Sequence, residues 1–324
     1  MKNKMIETND FENIRNGGIN RNELIVLFFI IVLAVLFFIF FLAQKSPNED
    51  LTENNEQNKT QKSNQVFENL DLEAKAVFVW DVLNQKEIYS KNSESQLPLA
   101  SLTKVAMAIT ALDKVPQGTV ITINENDLVE EGDDGLFSGE RWALKDLIDF
   151  SLIVSSNDGA LAVASAIGSV VNQEDPHNEF IGLMNEKVRK IGLVQTYFIS
   201  PSGLDKEDIV PGGNGSAKDM AILFEYAMRE FPNSLEATSY PMVEFNSLSD
   251  FEHEAENTND LVKKLPGIIA SKTGFTDLAG GNLVVAFEPE PGRLIILVAL
   301  GSSLEGRLVD IEKLYLTTFD YINS

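Results

Sequence analysis

Ser101 and Lys104 are the first residues whose types and spacing suggest chemistry. If Ser101 opens a helix, Lys104 lies one turn further along the same face, where its amine reaches the serine hydroxyl. The residues from Val105 to Leu112 are almost all apolar, which predicts that this helix is buried. Burial makes the lysine costly to charge and lowers its pKa, so the amine can act as a general base. A helix-capping serine beside a snorkelling lysine fits the same spacing.

Ser155 and Asn157 form a second polar group, which interrupts two apolar helical stretches. A hydroxyl and a carboxamide two residues apart in an extended break can point into one cleft. One side chain would relay a proton and the other would hold a substrate amide. Capping of a helix by serine and asparagine is the alternative. The stretch from Ser90 to Asn92 has the same form, but it lies at the end of a predicted hairpin.

Lys272, Thr273 and Gly274 come third, at the end of a predicted apolar strand. A sheet edge offers backbone groups with which an extended peptide can pair. The lysine supplies positive charge, the threonine a donor to a carboxylate, and the glycine space for a close approach. A strand that simply ends in a turn is the alternative.

In this order, the three motifs are the signature of penicillin-binding proteins and serine β-lactamases. From Leu70 to Phe319 the chain resembles the low-molecular-weight D-alanyl-D-alanine carboxypeptidase family, of peptidase S11 type. Further segments carry the resemblance: Ser151 to Ala160, Met184-Asn185, Gly192-Leu193, Thr196 to Phe198, Ser200 to Leu204, Ser216 to Ala221, Phe275-Thr276 and Ala279-Gly280.

The resemblance implies a catalytic role for three residues. Ser101 would be acylated by the penultimate D-alanine of a peptidoglycan stem peptide, and Lys104 would take its proton. Ser155 would help to return a proton to the leaving D-alanine. Water would then release the acyl-enzyme, and no cofactor or metal is expected.

The same resemblance implies a substrate-binding role for five residues. Asn157 would bind the substrate backbone and the lysine of the first motif. Lys272 would set the electrostatics, Thr273 would hold the terminal carboxylate, and Gly274 would let the substrate approach. The backbone N–H groups of Ser101 and Phe275 would form the oxyanion hole. β-Lactams are the expected covalent inhibitors.

The chain departs from the family pattern in two ways, and the sequence does not decide which peptide bond the protein would cleave. Ser156 stands where the family usually has glycine, which is tolerable if its side chain points away from the cleft. The chain also stops soon after the catalytic fold, whereas many members carry a further β-rich domain. Truncated members include D,D-endopeptidases, which cut cross-links instead of terminal D-alanine.

Three other classes of protein fit the sequence less well. A class A β-lactamase needs a glutamate in E-x-x-L-N form, which Glu174 to Asn178 echoes loosely. A penicillin-binding sensor would need a larger cytoplasmic part. A zinc peptidase would need a histidine cluster, but His253 lies in a polar stretch that favours a solvated loop.

The predicted elements place strands at both ends of the domain and helices between them. This order predicts an α+β fold, an α/β sandwich whose antiparallel sheet pairs the two ends of the domain. The resemblance makes it a β-lactamase/transpeptidase-like fold. The predicted strands are Ala74 to Trp80, Glu87 to Tyr89, Val120 to Ile123, Gly267 to Lys272, Asn282 to Phe287 and Arg293 to Leu300. The predicted helices are Ser101 to Lys114, Trp142 to Val154, Asp158 to Ile167, Phe180 to Ile191, Ser216 to Phe231 and Leu304 to Tyr321.

An apolar run from Leu24 to Ala43 precedes the domain. Its 20 residues span about 30 Å as a helix, which matches a bilayer core. Basic residues before the run predict a transmembrane anchor with a cytoplasmic tail, residues 1–23, and the catalytic domain outside the membrane. Residues 44–66 are polar enough to predict a disordered linker, with the peptidase domain at residues 67–324.

The composition excludes several functions. Acidic residues outnumber basic ones by 49 to 26, and the net charge of -23 has the wrong sign for a nucleic-acid binder. The absence of cysteine excludes disulfides and thiolate catalysis, and the two histidines leave little scope for a multi-histidine metal centre.

Overall fold

The computed structural model describes residues 21–43, 66–67, 70–132 and 134–323. The chain forms two compact units, Met1–Lys62 and Ser63–Ser324. The predicted cytoplasmic tail lies outside the described residues except for residues 21–23, and the predicted linker does so except for residue 66.

The smaller unit contains one described helix, α1 (Arg21–Ala43), which coincides with the predicted anchor. The apolar side chains described along residues 24–38 of α1 are exposed. Among the described residues, no helix combines the length and the apolar character needed to cross a membrane.

The larger unit is built on a five-stranded antiparallel sheet of β1 (Ala76–Asp81), β2 (Lys86–Lys91), β10 (Ile268–Thr276), β11 (Gly280–Glu290) and β12 (Arg293–Ser302). The strand order is β10-β11-β12-β1-β2. The first strand pairs with the last, so Ala76 lies opposite Leu300, and the predicted sheet formed from both ends of the domain is confirmed.

The central strands β1, β11 and β12 are buried on both faces because each contains a continuous apolar run whose side chains alternate between two cores. Phe78 and Val298 belong to the core beneath the central helices. Their neighbours Val79 and Leu297 belong to the core on the opposite face, which the C-terminal helix α7 (Gly306–Asn323) covers. This layered arrangement confirms the α+β prediction.

The central helices carry two of the three motifs. Helix α2 is buried at nine consecutive residues from Thr103 to Ala111, as its apolar sequence predicts. The helices are α2 (Thr103–Lys114), α3 (Leu144–Ile153), α4 (Asn157–Val171), α5 (Pro176–Ile191) and α6 (Ala217–Glu230). The short strands around them are β3 (Leu97–Pro98), β4 (Val120–Thr122), β5 (Arg141–Ala143), β6 (Tyr197–Phe198), β7 (Gly213–Gly215), β8 (Met242–Asn246) and β9 (Glu252–Glu256).

The predicted solvated loop around His253 is wrong, because this segment forms the β8–β9 hairpin. The His253 side chain is 7% exposed and lies 2.6 Å from Glu140. Its ring packs beside Trp142 and Phe150. Charged residues occupy the outward positions of β9, and they conceal the inward alternation of His253 and Ala255.

Candidate active site

Ser101 lies in a 3-10 turn, Ala100–Leu102, that leads directly into α2. The turn begins with Ala100 at a positive φ of 49°, a conformation that costs energy for a residue other than glycine. Lys104 follows in the first turn of α2 and has no exposed surface. Its Nζ atom lies 2.8 Å from Ser101 Oγ. The helical spacing therefore brings the amine to the hydroxyl as the sequence predicts.

The Lys104 amine has two further contacts, with Asn157 Oδ1 at 2.8 Å and with the Ser202 carbonyl at 2.9 Å. Burial lowers the pKa of Lys104 to about 7, against the opposing charges of Asp134 and Glu130. A neutral amine has two N–H groups, which the amide oxygen and the carbonyl satisfy. Its lone pair is then left facing the Ser101 hydroxyl.

The second motif lies between α3 and α4. Ser155 has a φ of 68°, a backbone conformation that is strained for any residue other than glycine. Ser156 is buried, and its hydroxyl accepts the N–H of Gly159 at 3.0 Å as the N-cap of α4. The Ser156 side chain is thus used by the helix, which explains why a residue larger than glycine fits here. Asn157 begins α4 and donates from Nδ2 to the Glu131 carbonyl at 2.8 Å.

The third motif lies within β10, which continues to Thr276, so the prediction that the strand ends at Lys272 is wrong. Lys272 is 2% exposed and donates to Ser155 Oγ and to the Thr273 carbonyl, both at 2.9 Å. Burial, followed by the charges of Lys104 and Arg307, lowers the pKa of Lys272 well below its ordinary value. The hydroxyl of the second motif is therefore joined to the amine of the third.

Gly274 is the point where β10 passes the nucleophile. A Cβ atom on Gly274 would lie 2.8 Å from the Leu99 carbonyl oxygen and 3.2 Å from the Ser101 nitrogen. Only glycine lets the edge strand approach the 3-10 turn so closely. The next residue, Phe275, is 45% exposed and lines the open cleft beside Asn157.

Several residues at the site are not apparent from the motifs. Arg307, in the first turn of α7, donates from Nη1 to the Gly274 carbonyl at 2.8 Å. The Thr258 hydroxyl shares a hydrogen bond of 2.6 Å with that of Thr273. Both contributors lie on elements remote in the sequence, so residue spacing gives no signal for them. For Ser202, the signal in the sequence was the resemblance of its segment, Ser200 to Leu204, to the family.

A cleft of about 700 Å³ opens in front of Asn157 and Phe275. Its lining includes five carboxylates and one lysine, which gives the opening an anionic character. These residues are Glu131, Asp205, Lys206, Glu207, Asp208 and Asp277.

Two sequence patterns lie away from this cleft. The second serine-x-asparagine (S-x-N) sequence, Ser90 to Asn92, makes other contacts: Ser90 donates to Glu87 and Asn92 donates to the Lys75 carbonyl. Glu174 follows the C-terminal end of α4, whereas Asn157 begins it, and the helix between them is about 20 Å long. Glu174 is therefore not positioned to activate water beside Asn157.

Comparison with known proteins identifies the family of the chain. The family model described as D-alanyl-D-alanine carboxypeptidase matches residues 58–303. The chain is 29% identical to D-alanyl-D-alanine carboxypeptidase DacB2 of Mycobacterium tuberculosis over 73% of this chain and 78% of that protein. It is also 29% identical to a D-alanyl-D-alanine endopeptidase of Pseudomonas aeruginosa, over 71% of this chain and 73% of the relative.

A solved structure has the same fold. It is penicillin-binding protein D2 of Listeria monocytogenes in an ampicillin-bound form, with a TM-score of 0.62 and 28% identity over 78% of this chain and 99% of the other. Since the family model matches most of its length, the chain belongs to the D-alanyl-D-alanine carboxypeptidase family, Peptidase_S11.

Proposed function

We propose that the protein is a serine-type D-Ala-D-Ala carboxypeptidase that acts on peptidoglycan stem peptides through an acyl-enzyme on Ser101. One observation carries the proposal. The Ser101 hydroxyl lies 2.8 Å from the buried amine of Lys104, whose pKa is lowered to about 7. An amine with this pKa is half neutral near pH 7 and can accept the hydroxyl proton at the moment of attack.

In the acylation step, Ser101 Oγ attacks the carbonyl carbon of the penultimate D-alanine while the neutral Lys104 amine takes the hydroxyl proton. The oxyanion would be held by the backbone N–H groups of Ser101 and Phe275, donors that commonly contribute a few kcal/mol each. The proton that Lys104 took is then returned, with the help of the Ser155 hydroxyl, to the amide nitrogen, the C–N bond breaks, and D-alanine leaves. The hydrogen bond from Lys272 to Ser155 supports this relay.

In the second step, a water molecule attacks the ester carbonyl and the bond to Ser101 Oγ breaks. The serine regains its proton, so the net reaction is hydrolysis of one amide bond.

The substrate would lie along β10, with Asn157 holding its backbone and Gly274 allowing its close approach. The hydroxyl of Thr273 would donate to the terminal carboxylate. Burial beside other cations lowers the pKa of Lys272, and a carboxylate bound nearby would raise that pKa again. The bound carboxylate would thus favour the charged form of Lys272, and the charged amine would in turn stabilise the bound carboxylate.

A D,D-endopeptidase is the second candidate, and it is supported by the endopeptidase relative of Pseudomonas aeruginosa. Mass spectrometry of purified peptidoglycan fragments before and after incubation distinguishes the two activities. Monomers that lose one alanine indicate a carboxypeptidase, whereas dimers that become monomers indicate an endopeptidase. Fragments that stay unchanged would contradict both. Rapid repeated hydrolysis of a chromogenic cephalosporin would instead indicate a β-lactamase.

We also propose that residues 24–43 anchor the protein in the cell membrane and leave the catalytic domain outside the cytoplasm. The unbroken apolar run and the basic residues before it support this arrangement. The full chain should sediment with membranes and resist extraction by salt or alkali, and a chain lacking residues 1–43 should not. Recovery of the full chain in the soluble fraction would contradict the anchor.

A further inference from the structure

The Asn157 amide is held from two sides. Its Oδ1 atom accepts from the Lys104 amine, and its Nδ2 atom donates to the Glu131 carbonyl, each at 2.8 Å. If the amide turned over, an N–H group would face the lysine donor and both hydrogen bonds would be lost. The Glu131 carbonyl therefore fixes the orientation in which Asn157 serves the lysine.

Glu131 belongs to a segment that we call the 128–140 loop, of which the structure describes every residue but 133. At its N-terminal end, the buried Asp127 accepts a hydrogen bond of 2.5 Å from the Ser165 hydroxyl. Ser165 lies two turns after Asn157 on α4. Eight helical residues rise about 12 Å, and the four residues from Asp127 to Glu131 reach about 13 Å when extended. The stretch from Asp127 to Glu131 is thus tied to α4 at both of its ends.

His177, on α5, orders the Ser165 hydroxyl. Its Nε2 atom lies 2.6 Å from Ser165 Oγ. The serine has one proton, which it donates to Asp127, so Nε2 must carry a hydrogen and donate to the serine. Three elements are therefore linked in sequence: α5, α4 and the start of the loop.

The C-terminal end of the loop is fixed in a similar way. Glu140 is 1% exposed, and its carboxylate accepts from the Phe137 N–H at 3.1 Å. His253 Nε2, on β9, lies 2.6 Å from the other carboxylate oxygen. The Glu140 carbonyl accepts the N–H of Ile123 at 2.8 Å, which ties the C-terminal end of the loop to the segment that precedes the loop.

We propose that the 128–140 loop is a positioning loop for Asn157 and that the two histidines of the chain anchor its two ends. The inference rests on the proposed function, because Asn157 matters through its contact with the Lys104 amine. His177 and His253 are the only histidines in the sequence, and both direct Nε2 at a carboxylate or hydroxyl that fixes this loop. They act as positioning residues through Glu131 and Asn157, without contact with substrate.

The test measures the second-order rate constant for acylation by a fluorescent penicillin, counted per acylable site. Ser165→Ala removes the link between Asp127 and His177, and His253→Leu removes the donor to Glu140. Each change should lower this rate constant about 10-fold, the effect of losing one ordering hydrogen bond. His253→Gln keeps an N–H donor near the position of Nε2 and should recover most of the rate.

Ser169→Ala is the matched control, since Ser169 lies one turn further on α4 and donates only to the Ala166 carbonyl. It should acylate at the wild-type rate. A purely structural role would lower the melting temperature and the number of acylable sites, but would leave the rate constant per site unchanged. An unchanged rate constant per site for Ser165→Ala would overturn the inference. The Ser165→Ala measurement is sufficient for this test even if His253→Leu does not fold. A wild-type chain that takes up no penicillin would instead overturn the proposed function.

Discussion

At the scale of single residues, the site depends on two buried lysines that each contact a serine hydroxyl. Lys104 contacts Ser101, and Lys272 contacts Ser155. Burial is the largest cause of the lowered pKa of both lysines, and the charge of Lys104 lowers that of Lys272 further. A lowered pKa costs stability at neutral pH but provides an amine that can accept a proton.

The acylation rate should follow the protonation of Lys104. Its neutral form is the base, and the pKa is about 7, so the neutral fraction and the rate constant should rise with pH through that value. Rates of penicillin acylation measured from about pH 5.5 to about pH 8.5 check this expectation. A rate that stays constant or falls over this range would show that Lys104 is not the base.

The two S-x-N copies provide a matched pair of substitutions. Ser155→Ala removes the hydroxyl that Lys272 contacts and should lower the rate of stem-peptide hydrolysis about 100-fold, as for loss of a proton-transfer group. Ser90→Ala removes a hydroxyl that donates to the exposed Glu87 and should leave hydrolysis unchanged. Equal rates of stem-peptide hydrolysis for the two variants would contradict the view that Ser155, and not Ser90, takes part in the reaction.

Local spacing made Ser101 and Lys104 predictable as a contacting pair, because three residues of helix fix their relation. Arg307 and Thr258 were not predictable, since they reach the site only through the pairing of remote elements. Spacing along the chain carries no information about such contacts.

At the scale of elements, the site is the meeting point of the 3-10 turn before α2, the connection between α3 and α4, and the edge strand β10. The edge position leaves one side of β10 free of any partner strand among the described strands. That free side is where an extended peptide can pair. Apolar runs made these elements predictable, but the β8–β9 hairpin was missed because charged residues alternate with its inward positions.

The close approach of β10 to the nucleophile can be tested with two glycines. Gly274→Ala places a Cβ atom 2.8 Å from the Leu99 carbonyl, so the strand must move away. Acylation should fall about 100-fold, the cost of a displacement near 1 Å at a reacting group, and the melting temperature should drop.

Gly182→Ala is the control, because nothing lies within 4 Å of the added Cβ atom on α5. It should stabilise the protein by about 1 kcal/mol through helix propensity and leave acylation unchanged. If Gly274→Ala acylates as fast as Gly182→Ala, the tight packing of β10 against the 3-10 turn has no catalytic role.

At the scale of the whole molecule, the chain carries a net charge of -23, and five acidic side chains line the cleft. The sheet pairs the two ends of the domain, so residues 212 positions apart in the sequence come into contact. Asp81 and Arg293, for example, form an ion pair of 2.9 Å across the paired strands. The α+β order of elements predicted this pairing, whereas the position of the acidic side chains around the cleft required the structure.

Charge repulsion should slow the approach of anionic penicillins. Raising the salt concentration from about 10 mM to about 500 mM shortens the screening length and should increase the acylation rate constant several-fold. A penicillin that also carries a free amine should show a weaker dependence. A rate that falls with salt for the anionic compound would contradict this view of the cleft.

The most direct test of the account is the identity of the residue that penicillin acylates. Intact-mass measurement followed by peptide mapping should find one penicilloyl group per chain, attached to Ser101. The Ser101→Ala variant should carry no adduct while keeping the wild-type melting temperature within a few degrees. An adduct on any other residue, or none on the folded wild-type chain, would contradict the central claim that Ser101 is the nucleophile.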